Sequence, residues 1–410
     1  MRVLVASALL ALSAAAAADV TPHQVHLSLA GGSDVRVAWF TLNASASTCT
    51  FGASPSSLNN SASGTSVQYL TDGGYHHVVK LAGLLPSSTV FYSCGSAGAA
   101  SPTASFTTAP AVGTHTPFRS IIYGDHGWLN SSVRAAMLPV GGLVSNWTAS
   151  PVMELIQSLA PASSLIWVVG DIAYADDSFG HLDELLGFGY EKAYNGYMDS
   201  DWMGSVSSYL PVMVSPGNRE PIAPSLHRPP WTHPPAPNRA RALPQFCSPP
   251  PSFLADESEC HDPYCVLNEA VGQQLRNFSA YNARWAMPSA ESGGVLSMWH
   301  SWTFGRVHFV AIDTETCPGC GEEKTGDSHM PWFPAGGFAP AGAYEAWLAA
   351  DLAAARAARA NGTIDFIVAG GHRPFEDFPS GNISALFKAN SVDVYYAGKW
   401  CRRRRRRRRL

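Results

Sequence analysis

Val168-Val169-Gly170-Asp171-Ile172-Ala173-Tyr174 reads as a short buried strand, a glycine that permits a tight turn, and a carboxylate at the strand tip with a phenol three residues on. Four more apolar runs share this form: Ile121-Ile122-Tyr123-Gly124-Asp125, Val212-Met213-Val214 leading to Gly217-Asn218, Ile367-Val368 leading to His372, and Val392 to Tyr396 leading to Gly398. In an open α/β sheet the ligand crevice lies beyond the carboxyl ends of the strands, so Asp125, Asp171, Asn218 and His372 are expected to converge. The fifth run arrives without a ligand.

Carboxylates, a phenolate, an amide oxygen and imidazole form an oxygen and nitrogen donor set suited to iron, zinc or manganese, not to a thiolate site. Each residue alone has a plainer reading. An Asp after a strand commonly caps a helix. Ser215-Pro216-Gly217-Asn218-Arg219-Glu220 reads equally well as an ordinary turn, and a lone His372 could simply bond a backbone carbonyl. Their joint placement at strand ends carries the metal reading.

The 410-residue chain is 46% hydrophobic and 14% charged, as expected of a folded globular protein with two or three domains. Residues 1–18 carry Arg2, an apolar stretch and a run of small residues, the pattern of a cleaved secretory signal. No other segment reaches the ~20 apolar residues of a membrane span. Seven glycosylation sequons (Asn43, Asn59, Asn130, Asn146, Asn277, Asn361, Asn382) agree with an extracellular or vacuolar route. In an oxidising compartment the eight cysteines favour disulfides. Proximity pairs Cys49 with Cys94, Cys260 with Cys265 and Cys317 with Cys320, leaving Cys247 and Cys401. Arg402–Arg409 hold eight of the 27 basic residues, and the other 19 face 31 acidic ones, a net charge of −12. So acidic a body disfavours a general role on nucleic acid.

From residue 22 to 108 short alternating runs (Val25–Leu29, Val35–Thr41, Tyr75–Leu81, Thr89–Cys94), separated by Gly, Ser, Asn and Pro, predict an antiparallel sandwich. Residues 109–117 read as a linker. After Phe118 strands alternate with helical stretches, as in an α/β domain. The clearest helix is expected from Ala341 to about Ala358, with Tyr344, Trp347, Leu348 and Leu352 on one face. The proline-rich stretch 221–263 supplies no regular element and reads as a long loop, of the kind that is disordered or covers a site.

These motifs resemble the purple acid phosphatases of the metallophosphoesterase superfamily. Gly124-Asp125-His126-Gly127 is similar to that family's GDxG, and Gly170 to Asp176 to its GDxxY with an Ala-Asp extension. Asn218 matches the Asn of GNHE, His372 the His of the VxxH block, and Val307 to Asp313 the strand between them. Tyr75-His76-His77 is similar to a segment of the plant-like members. The resemblance implies an N-terminal fibronectin type III-like sandwich (22–108) and a calcineurin-like metallophosphoesterase domain with an α/β/β/α core (118–398). It implies Asp125 and Tyr174 on Fe(III), Asp171 bridging two metals, and Asn218 with His372 on a divalent zinc, manganese or iron. The implied reaction is hydrolysis of small phosphate monoesters by a secreted acid phosphatase.

The chain departs from the family at two places. Arg219 replaces the GNHE histidine; it can fork onto phosphate oxygens but cannot give up a proton. Lys399 and Cys401 stand where the two histidines of GHxH would come, and a thiolate and an ammonium do not replace imidazoles around a hard ion. The catalytic domain is therefore expected to be truncated and its activity impaired. Residues 399–410 are expected to be a low-complexity arginine tail from non-coding or frame-shifted sequence. Two other readings stand beside the phosphatase: a phosphodiesterase of the same superfamily, and a non-catalytic secreted glycoprotein that has lost its metals.

Overall fold

A computed structural model of the chain describes residues 19–71, 73–127, 150–173, 175, 190–217, 274, 278–316, 338–375, 378 and 381–399. Tyr174, Asn218, Arg219, the signal, the proline-rich stretch and the arginine tail lie outside the described residues, as do every cysteine except Cys49 and Cys94 and the sequons Asn130, Asn146 and Asn277.

The first unit contains β1 (His23–Leu29), β2 (Val35–Thr41), β3 (Thr48–Gly52), β4 (Asn60–Ser63), β5 (Thr65–Val67), β6 (Tyr75–Leu81), β7 (Thr89–Ser96), β8 (Ala99–Ala100) and β9 (Ala104–Thr107). One sheet runs β1-β2-β6-β5; the other runs β4-β3-β7-β8, with β9 on β7. Period-two alternation turns Leu27, Val35, Val37, Trp39, Val79 and Tyr92 inward, where they make a core of their own. Cys49 and Cys94, opposite each other on β3 and β7, form a disulfide within that core. Asn43, Asn59, Asn361 and Asn382 are exposed.

The second unit contains β10 (Ser120–Tyr123), β11 (His126–Gly127), α1 (Ser150–Leu159), β12 (Leu165–Val169), β13 (Ile172–Ala173), α2 (Tyr190–Met198), α3 (Asp201–Ser207) and β14 (Val212–Ser215). After these come α4 (Ser279–Arg284), α5 (Ser289–Ser292), β15 (His300–Phe304), β16 (Val307–Ala311), α6 (Ala343–Ala360), β17 (Phe366–Gly371), α7 (Gly381–Ala389) and β18 (Val394–Ala397). The five runs singled out in the sequence do not share one sheet. Strands β10, β12 and β14 form a parallel sheet in the order β10-β12-β14, whereas β17 and β18 belong to a second sheet, β15-β16-β17-β18, antiparallel only at β15. Apolar runs reveal strands but not their partners.

The two sheets are joined by an aromatic core. Trp167 of β12 meets Trp302 edge-on at 5.1 Å, and Trp302 stacks on Phe309. A Cβ on Gly370 would lie 2.5 Å from the Trp167 ring, so only glycine lets β17 approach so closely. Helix α6 buries Tyr344, Leu348 and Leu352 as its spacing predicts, with Trp347 partly buried. It starts two residues later than expected because Gly342 is left-handed at φ 79°, which no α-helix can include.

The two units also share an interface. Leu29 of β1 joins the core of the second unit, Ser28 donates to the Ala286 carbonyl at 2.7 Å, and Ser207 donates to the Val25 carbonyl at 2.9 Å.

Candidate metal centre

Asp125 and Asp171 follow glycines at the tips of β10 and β12, and both backbones are left-handed at φ 55°. Asp tolerates this region better than most residues, but it is uncommon outside turns and functional sites. The two turns hold each other. The Asp125 amide donates to the Gly170 carbonyl at 3.2 Å and the His126 amide to the Asp171 carbonyl at 3.1 Å, so β11 and β13 pair in parallel immediately beyond the carboxylates. Two acidic side chains are thereby fixed side by side at one sheet end.

His372 reaches the same point from the second sheet, in the turn after β17. Its Nε2 lies 3.2 Å from an Asp171 carboxylate oxygen, and its Nδ1 lies 3.6 Å from Asp125 and 3.3 Å from the Val169 carbonyl. Glycine again sets the approach. A Cβ on Gly170, at φ 87°, would fall 2.6 Å from the His372 Cβ, and one on Gly398 would fall 2.1 Å from the Val169 carbonyl oxygen. Strand β18 therefore delivers Gly398 to the site, and the Lys399 amide donates to the His372 carbonyl at 2.7 Å.

One ligand atom from each of Asp125, Asp171 and His372 lies within 4.8 Å of the others. His372 and Asp171 are buried, while the Asp125 side chain is about one-third exposed and marks the open side. Burial alone would favour neutral imidazole. The Asp171 charge and its hydrogen bond, then Glu315 and Asp125, outweigh burial and push His372 up to about 9. A proton on the ring thus supplies the positive charge that two adjacent carboxylates demand, and oxygen and nitrogen donors spaced in this way fit a hard or borderline cation in its place.

Of the sequence-predicted residues, Asp125, Asp171 and His372 come together; Tyr174, Asn218 and Arg219 lie outside the described residues. Sequence reading missed the shell behind His372. Asp313, Thr314, Glu315 and Thr316 follow β16, all buried, and Arg373 pairs with Glu315 through Nη2 at 2.8 Å. The local trace of this shell is an Asp-Thr-Glu-Thr run directly after an apolar strand, and such a run is more often an exposed turn, so sequence carried no usable signal.

The structure is thus a β-sandwich followed by an α/β domain of two facing sheets, whose strand tips gather two aspartates and a histidine. Residues 22–108 match the sequence profile of the purple acid phosphatase N-terminal domain. An acid phosphatase from Aspergillus ficuum is 24% identical over 322 residues, covering 65% of this chain and 47% of the relative. Purple acid phosphatase 22 of Arabidopsis thaliana is 26% identical over 314 residues, covering 74% and 51%. Among solved structures, the purple acid phosphatase isolated from yellow lupin (Lupinus luteus) seeds shares the fold with a TM-score of 0.57 at 14% identity, covering 92% of this chain and 58% of that one. The chain is similar to purple acid phosphatases, and it spans about half the length of the curated relatives it matches.

Proposed function

We propose that this chain carries the metal-binding part of a secreted acid phosphatase that hydrolyses small phosphate monoesters. The observation that supports it most is the meeting of Asp125, Asp171 and His372 donor atoms within 4.8 Å, from two different sheets, at the strand ends where a ligand crevice is expected.

In this reading Asp125 and Tyr174 would hold Fe(III), Asn218 and His372 would hold a second zinc, manganese or iron ion, and Asp171 would serve as a ligand to both. When bound, such a pair supplies Lewis-acid activation of water and neutralises charge on a phosphate. The Val169 carbonyl and the Asp171 carboxylate orient the His372 ring from opposite nitrogens. His372 holds a proton at neutral pH in the metal-free chain and must release it to act as a ligand. Arg219 contacts phosphate oxygens without donating a proton, so leaving-group protonation falls to another group or to solvent. With Lys399 and Cys401 in place of two imidazoles, turnover is slower than in a protein bearing the full GHxH motif.

Domain limits of 22–108 and 118–398 and a secretory route belong to the same proposal. A disulfide inside the sandwich and four exposed sequons support that route. The test is hydrolysis of p-nitrophenyl phosphate at acid pH by the full chain after incubation with iron and zinc. Activity is expected, with Asp171→Asn lowering it at least ~100-fold, because removing a catalytic metal's ligand costs several kcal/mol of barrier. Equal rates for wild type and Asp171→Asn contradict the reading.

A further inference from the structure

We propose that Glu315 and Arg373 form a positioning bracket that fixes the direction in which His372 presents its ring to a cation. The inference rests on the metal-centre reading and assigns a role to residues outside the ligand set.

Both backbone groups of Arg373, the residue next to His372, and two of its guanidinium nitrogens are held from the second sheet. Its Nε and Nη2 donate to one Glu315 oxygen at 2.9 and 2.8 Å. Its amide donates to the Thr314 hydroxyl at 3.1 Å, and that hydroxyl donates to the other Glu315 oxygen at 2.8 Å. Its carbonyl accepts from the Tyr395 hydroxyl of β18 at 2.7 Å. Glu315 is anchored in turn: its amide donates to Asp313 at 2.8 Å, and Tyr344 of α6 donates to the Asp313 carbonyl at 3.0 Å. There is no slack on the other side of the histidine. A Cβ on Gly371 would lie 2.8 Å from Thr314 Cγ2 and 3.0 Å from the Tyr395 hydroxyl oxygen.

Stability does not call for this arrangement. Glu315 is 1% exposed and Arg373 9%, and a buried ion pair loses in desolvation much of what it gains in attraction, so apolar side chains of similar size would pack at least as well. Apolar packing cannot supply direction. A forked guanidinium bound to a carboxylate, with both backbone groups of the same residue also bonded, leaves the His372 turn one orientation. Outer partners of this kind typically hold a 10–100-fold share of metal affinity.

The experiment titrates Co(II) into the metal-stripped full chain, following affinity and the visible Co(II) spectrum, for wild type, Glu315→Gln and Tyr395→Phe. Glu315→Gln should weaken Co(II) binding about 10-fold or more and shift the spectrum. Tyr395→Phe, which removes one hydroxyl and leaves the ion pair, should give a smaller change of the same sign while the metal-free melting temperature stays close to wild type. If Glu315→Gln does not fold, Tyr395→Phe and Thr314→Val decide the matter by the same readouts. Variants that bind Co(II) with wild-type affinity and spectrum overturn the bracket alone, even if they melt earlier, because a merely structural strut would behave so. A wild type that binds no Co(II) overturns the metal centre, and the bracket with it.

Discussion

Asp313 has no exposed surface, and burial pushes its carboxyl up to about 6, against hydrogen bonds from Thr316 and the Glu315 amide that pull it down; the nearby Glu315 charge adds to the rise. The folded chain therefore binds this proton more tightly than the unfolded chain does. The resulting stabilisation is complete below about pH 4 and is lost as pH rises through about 6, an effect on the order of 3 kcal/mol. Asp313→Asn mimics the neutral form, so its melting temperature should gain on wild type between pH 4 and 7; parallel pH curves would refute this account. Asp125, Asp171 and His372 were readable from sequence because an apolar strand ending in glycine and a polar residue aims that residue outward from a sheet end. Asp313 and Glu315 were not, because nothing local distinguishes a buried polar shell from a turn.

At the scale of the elements, the site depends on how closely three strand ends approach. Gly170 at φ 87° faces the His372 Cβ, and Gly398 fits between the Val169 carbonyl and the His372 ring. Gly170→Ala adds a left-handed penalty of about 1–2 kcal/mol, and the new methyl must displace His372. Metal affinity should fall by more than tenfold while far-ultraviolet circular dichroism keeps its native shape; unchanged affinity would show that the contact is slack. The longer strands were legible in the apolar runs, their boundaries shifted by up to three residues, whereas short strands such as β3, β9 and β15 were not. Their division between two sheets was not, since pairing such as Ile122 with Trp167, 45 residues apart, leaves no mark on either run alone. Helix α6 was legible because its stripe is long and periodic, and the left-handed Gly342 moved its start.

Across the whole molecule the sandwich and the α/β domain are joined by a buried polar cluster that sequence could not announce. The Arg284 guanidinium, 2% exposed, donates to Tyr69 at 2.9 Å, Glu191 at 2.8 Å and Gln24 at 3.2 Å, and lies 4.4 Å from the centre of the Tyr194 ring. Tyr69 and Gln24 come from the sandwich side and Glu191 and Tyr194 from α2, so one cation bonds both units. Removing a buried partner strands the others, and Arg284→Met should cost about 3–5 kcal/mol. Calorimetry should then resolve two unfolding steps where wild type shows one; a single unshifted transition would mean the units are coupled elsewhere.

Function in this molecule depends on whether Asp125, Asp171 and His372 bind metal together. Elemental analysis of the purified full chain, counting iron, zinc and manganese per molecule beside His372→Ala, measures this directly. The prediction is bound metal in wild type and its loss in the variant. A wild type without metal, or a variant that retains the same amount, would contradict it.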